Sequence, residues 1–164
     1  MTAFILQGCH TSVSTNTAKS NFDIPTYIKN ESSRLQKQNP LVTKTVVKDK
    51  SQESKQLKID NWTDELAQFT TLDLNKSATE DFVQENSKDT LIYKSNSSSS
   101  NTLIVKIVPS NNTLSYLSVK KHTKNLLFEN TESLIYIPNS YYSIEKKQFV
   151  RGLGENNYSI TGKF

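Results

Sequence analysis

Side chains able to do chemistry are few in this sequence, and they are scattered. There are two histidines, His10 and His122, and one cysteine, Cys9. His122 lies in Lys120-Lys121-His122-Thr123-Lys124 with no acid, base or ligand partner at a recognisable spacing. Its lysine neighbours disfavour both an imidazolium and a bound cation, so a solvated residue without catalytic or metal role is expected. His10 and Cys9 together fall short of a zinc ligand set. The adjacent carboxylates Asp64/Glu65 and Glu80/Asp81 point apart on a helix or strand and make no acid–base dyad. Arg151-Gly152-Leu153-Gly154 lacks the dinucleotide fingerprint and lies among strands, where a hairpin turn accounts for its glycines. The expectation is a protein that is not an enzyme, with no catalytic residue, no cofactor and no metal.

A lone cysteine forms no internal disulfide. Leu6-Gln7-Gly8-Cys9 resembles the lipobox of bacterial lipoproteins: an aliphatic residue, a loosely specified one, a small one, then cysteine. The resemblance implies cleavage before Cys9, a diacylglycerol on its sulfur and an acylated amine. Several acyl chains on one residue anchor a domain stably, at ~0.8 kcal/mol per buried methylene. Residues 1–8 then read as the remnant of a lipoprotein signal, although Met1-Thr2-Ala3 carries no positive charge and the apolar run is short. Residues 10–20, HTSVSTNTAKS, are rich in Ser, Thr and Asn, so burial cannot offset the entropy of ordering them. Residues 9–22 are therefore expected to form a lipidated flexible tether, and residues 23–164 a single domain.

The chain of 164 residues, 34% hydrophobic, is long enough for one modest core. Its formal charge is +4. The excess is lysine, since Arg34 and Arg151 are the only arginines, and the lysines are dispersed. Nucleic-acid binders cluster theirs with aromatic partners, so no nucleic-acid partner is expected. Dispersed lysine blunts sheet edges, and it also suits a weak attraction to anionic lipid headgroups. No apolar run reaches the ~18 residues that span a bilayer, so the body is expected to be soluble.

Ile24 to Lys37, with Pro25 near its start and Pro40 beyond its end, has apolar Ile24, Tyr27, Ile28 and Leu35 at helical spacing. Leu41 to Lys48 and Gln56 to Ile59 read as strands joined through a polar link that begins at Asp49-Lys50-Ser51-Gln52. In IDNWTDELAQFTTLDLNK, Asp60 or Asn61 can cap a helix whose Trp62, Leu66 and Phe69 form one apolar stripe. From Asp81 onward, DFVQEN, TLIYKS, TLIVKIVP, TLSYLSVKK, KNLLFEN, SLIYIP, YYSIEKKQFV and NYSITGKF follow at roughly 8–12-residue spacing, the rhythm of an antiparallel meander. Leu103, Val105 and Ile107 alternate with Ile104, Lys106 and Val108, which suggests a strand covered on both faces. Leu114 and Tyr116 are expected on one face of the next strand, Leu117 and Val119 on the other. Ser95–Ser100 reads as a hairpin loop. The fold expected is α+β: one large antiparallel sheet, a meander curled into a half barrel, with one or two helices packed against it.

Asn61-Trp62-Thr-Asp-Glu65-Leu66-Ala-Gln-Phe69, followed by Asp73-Leu-Asn75-Lys76, resembles a pattern in small predicted lipoproteins of Bacteroidota. So do Arg34-Leu35 to Asn39-Pro40, Thr43-Lys44-Thr45-Val46, Leu134-Ile-Tyr136 and Asn157-Tyr158-Ser-Ile160-Thr-Gly162. The family has no established biochemical activity, so the resemblance implies a lipobox and an α+β body but no catalytic residue. Such proteins exported to the cell surface carry acidic residues after the cysteine, and none follows Cys9 here, which implies a lipid anchor in the outer membrane facing the periplasm. Asp89-Thr90-Leu91 is similar to the phylum's O-glycosylation acceptor, although a plain strand start also explains it. The expected function is a non-catalytic, membrane-anchored envelope lipoprotein that binds a protein partner or an apolar ligand. Tyr93, Tyr116, Phe128, Tyr136, Tyr141 and Tyr142 would supply amphipathic contact surface. The alternative is a structural accessory subunit of an outer-membrane assembly with no ligand of its own.

Overall fold

Asp23 opens the first helix in the computed structural model of the chain, which describes residues 21–75, 82–95, 100–111 and 113–164. Its side chain accepts from the Thr26 amide at 3.0 Å, and Pro25 occupies the first turn, where its missing N–H costs nothing. Helix α1 (Ile24–Gln38) ends at Asn39, left-handed at φ 46°, whose amide reaches the Leu35 carbonyl at 2.8 Å. Ile24, Ile28, Ser32 and Leu35 form its buried stripe, as the spacing predicts. Cys9, His10, the expected tether up to residue 20 and the Glu80/Asp81 pair lie outside the described residues. Asn21, near the end of that tether, is hydrogen-bonded to Asn75 at 2.9 Å and to the Leu74 carbonyl at 3.0 Å.

Strands β1 (Leu41–Lys48) and β2 (Ser51–Lys58) form a hairpin around Asp49, at φ 52°. The expected polar link is mostly strand. Ser51 to Gln56 carry no apolar residue because β2 is an edge of the sheet, where hydrophilic side chains discourage pairing with other chains. The expected second helix is two: α2 (Trp62–Glu65), capped by Asn61, and α3 (Ala67–Thr70). They meet at Leu66, whose carbonyl takes the Phe69 amide in a tight three-residue turn. Trp62, Leu66 and Phe69 nonetheless stay on one side and are completely buried.

The meander follows as β3 (Phe82–Ser87), β4 (Thr90–Ser95), β5 (Asn101–Ser110), β6 (Thr113–Lys124), β7 (Phe128–Ile137), β8 (Tyr141–Val150) and β9 (Gly154–Lys163). All nine strands join one antiparallel sheet in the order β2-β1-β9-β8-β7-β6-β5-β4-β3. Among the described residues only the β1–β9 contact joins strands distant in sequence. Two expected strands, KNLLFEN and SLIYIP, are in fact one turn and one strand. Asn125 folds back on Phe128, leaving Leu126 and Leu127 in the turn, and β7 then runs unbroken to Ile137. The expected faces of β6 also need correction. Pro109 has no N–H for the ladder, and the register shifts there, leaving Ser115 as an extra residue. Leu114, Leu117 and Val119 thereby all reach the core, and Tyr116 lies half-buried. Val105 and Ile107 are buried, whereas Ile104 and Val108 on the opposite face are only half-covered.

Register aligns the core in rows across the sheet. One row holds Leu91, Ile107, Leu117, Tyr136, Tyr142, Gly162 and Lys44, and the next holds Tyr93, Val105, Val119, Leu134, Ile144, Ile160 and Val46. The helical segments contribute Ile24, Ile28, Leu35, Trp62, Leu66 and Phe69 to the same core. Gly162 stands directly opposite Tyr142, and any side chain at 162 would run into the Tyr142 ring. Leu66→Ala is expected to lower unfolding stability by ~2–5 kcal/mol, measured by urea denaturation, since Leu66 is wholly buried. Gly162→Ala, which deletes nothing, is expected to lower it by ~1–3 kcal/mol by displacing the tyrosine.

Candidate functional site

Tyr136 and Tyr142 are opposite one another on β7 and β8, both fully buried. A buried phenol needs an acceptor, and each finds a carboxylate from the helical layer. Tyr136 donates to Glu31 of α1 at 2.6 Å, and Tyr142 donates to Glu65 of α2 at 2.5 Å. Glu31 also receives a two-pronged contact from Arg34, at 2.9 and 2.8 Å, and Glu65 receives the Lys44 ammonium at 2.7 Å. Burial alone would push the Glu31 carboxyl up, but the Arg34 and Tyr136 hydrogen bonds and the Arg34 charge together hold it below its ordinary value. Both phenols are pushed up, first by burial and then by the carboxylates they face. Groups tuned in these directions keep their protons where they are. The pair of contacts is a latch between helices and sheet.

Around the latch, Trp62 meets Tyr142 and Phe164 edge-on, with ring centroids 6.2 and 5.4 Å apart. Its indole N–H is buried without a conventional acceptor among the described residues, a cost partly offset by such edge-to-face contacts. Three of the tyrosines expected to supply contact surface, Tyr93, Tyr136 and Tyr142, are instead core residues. Their inward register explains the difference. Tyr116, Phe128 and Tyr141 are half-exposed.

One row beyond the apolar ones, Leu103, Lys121, Glu132 and Lys146 stand side by side on β5 to β8. A cleft of about 620 Å³ opens at this boundary, between the sheet and the segment after α3. Leu103, Val119 and Leu134 form its floor, Leu72 and Phe82 stand to the side, and Lys121 and Glu132 mark its polar end. Lys146 approaches Glu132 at 3.4 Å, and Asn130 donates to it at 2.9 Å. Burial raises the Glu132 carboxyl, but Asn130 and the two lysines together bring it below its ordinary value. The cleft thus has a mixed lining, in which these apolar side chains stand among polar and charged ones that include Asp73, Thr102, Lys121, His122 and Glu132.

His122 sits on the rim of this cleft, with Nδ1 3.2 Å from the Thr131 hydroxyl and Nε2 3.8 Å from Glu129. The sequence spacing concealed these partners, which the β6–β7 register supplies. Among the described residues no group of three or more His, Cys, Asp or Glu could hold a metal ion. Asp64 bonds Asn61 at 2.7 Å while Glu65 turns to the latch, so the two neighbours do point apart. Gly152 and Gly154, at φ 87° and 90°, form the hairpin turn expected of them. Thr90 begins β4. No family model, no curated protein and no solved structure matches the chain.

Sequence reasoning found Trp62, Leu66 and Phe69 but missed Glu31, Arg34, Lys44 and Glu65 as a set. The available signal was Arg34, one of two arginines, placed three residues after Glu31 on a helix. Because the Glu31 carboxyl lies below its ordinary value of 4.5 in the folded state, it stabilises the protein above that pH. The contribution is lost as pH falls from 4.5 through the folded value. Urea midpoints taken between roughly pH 6 and 3 should fall less steeply in Glu31→Gln than in the unsubstituted protein. Glu132 has the same sign and leaves a residual slope.

Proposed function

We propose that this chain is a non-catalytic binding module of a bacterial envelope, held to the outer membrane through lipidated Cys9 and facing the periplasm. Its cleft takes an apolar ligand with a polar end. The half-barrel curl of the sheet belongs to the same reading, since a curled meander wraps one face around such a ligand. What carries the proposal is the lining of the cleft. Leu103, Val119, Leu134, Leu72 and Phe82 line it together with Lys121, Glu132 and further polar side chains, a mixed surface that an amphipathic ligand can match. No helix among the described residues is long and apolar enough to cross a membrane, and the proposed attachment needs none.

The test is native mass spectrometry of protein extracted from its own membranes in mild detergent. A co-purifying small molecule is expected, and Leu103→Trp, which fills the floor of the cleft, should lower its occupancy several-fold while thermal stability stays near that of the parent. The same sample should give an N-terminal peptide beginning at an acylated Cys9. Protein devoid of ligand would remove the carrier reading, and an unmodified peptide still containing Met1 would remove the anchor.

A further inference from the structure

The largest exposed apolar side chains gather at one end of the sheet. Leu126 and Leu127, in the β6–β7 turn, are 89% and 69% exposed, and Leu153, in the β8–β9 turn, is 86% exposed. The two turns are neighbours: β7 and β8 are paired up to Phe128 and Val150, and the Arg151 amide donates across to the Leu127 carbonyl at 2.9 Å. Tight turns ordinarily carry Gly, Asn, Asp, Ser or Pro. Three leucines at adjoining tips stand largely exposed instead.

Several backbone donors at these tips are already bonded within the protein. Asn125 Oδ1 accepts from the amides of both Leu127 and Phe128 at 2.8 Å. The Asn125 amide reaches the Phe128 carbonyl at 2.9 Å, and the Leu153 amide reaches the Val150 carbonyl at 3.0 Å. Together with the Arg151 amide, five donors are therefore turned inwards. An amide left unbonded in a medium poorer in hydrogen bonds than water would cost several kcal/mol.

We propose that the paired leucine tips dock this protein on an anionic lipid surface, with Leu126, Leu127 and Leu153 entering the headgroup–acyl boundary. Charge complementarity supports the occupant. Arg151 lies between the leucines without an ion-pair partner among the described residues, and Lys124, paired with Glu129 at 2.8 Å, flanks them. Anionic headgroups attract such cations. A protein partner or a second copy fits less well, because three side chains on protruding turns fall short of the ~800 Å² that a specific interface buries on each side. The proposal rests on neither the cleft nor the lipidation of Cys9.

The experiment uses the full chain carrying Cys9→Ala, so that no acyl group contributes. Co-sedimentation is measured with vesicles of phosphatidylethanolamine and phosphatidylglycerol, and with vesicles of phosphatidylcholine alone. Binding to the anionic vesicles is expected, weakened by salt. It should fall roughly tenfold or more when Leu126, Leu127 and Leu153 are all changed to Ser. Leu41→Ser, at a leucine 58% exposed at the opposite end of the sheet, should bind as the parent does. Thermal unfolding of each variant confirms that the turn substitutions leave the fold intact. No binding to anionic vesicles, or equal binding by the triple variant, would overturn the proposal. Equal binding to both vesicle types would overturn the part given to Arg151 and Lys124. A dimer in light scattering that dissolves in the triple variant, with no vesicle binding, would assign the tips to a second copy instead.

Discussion

Two buried phenols on neighbouring strands must each find an acceptor, and that need fixes how the helical layer sits on the sheet. Tyr136 and Tyr142 point up from one cross-strand position, and Glu31 and Glu65 reach them from two separate helical segments. Dispersion contacts alone would let an apolar helix slide over an apolar sheet at little cost, whereas a charge-assisted hydrogen bond is directional. The carboxylates are themselves held, by Arg34 on one side and Lys44 on the other, so neither is a lone buried charge. Lys44 belongs to the N-terminal hairpin and Tyr142 to the meander. The Glu65 contact thus draws three parts of the chain to one point.

From that fixed line the inner face grades outward. Apolar rows lie beneath the helices. A row with two lysines and a glutamate comes next, and Thr123 and Asn130 lie beyond it. The cleft occupies the step in this gradient beyond α2 and α3, which have four residues each against the twelve of β6, so that among the described residues the helical layer leaves the far part of the strand uncovered. The longest strands therefore project past the core and end in the leucine turns. A short cover on long strands produces both the cleft and the projecting tips.

Much of the architecture was legible because it depends on local pattern. The bounds of α1 between Pro25 and Pro40, the stripe of Trp62, Leu66 and Phe69, and the rhythm of β4 to β9 all lie within a few residues of their signals. What escaped depends on partners far along the chain. Glu31 and Tyr136 are 105 residues apart, and Glu65 and Tyr142 are 77 apart, so nothing local marks them as a set. The first half of β2, Ser51 to Lys55, escaped because an edge strand need not bury anything. The leucines of the β6–β7 turn were misread for the opposite reason: apolar residues beside a strand look like more strand. Pro109 carries a local signal for the register shift in β5–β6, which alternation alone does not show.

The pairing of β1 with β9 has a consequence for how the chain comes to be folded. Residues 41–48 emerge early in synthesis, yet one side of that strand stays unpaired until residues 154–163 arrive to lie beside it. Helix α1, the first hairpin and the short helices must wait for the last strand before their surroundings are complete. Closing so long a loop is entropically slow, and until it closes the half-formed edge can recruit other chains. Such a protein acquires its structure as a whole, after residues 154–163 are available. Removing those ten residues would deprive the first strand of its neighbour.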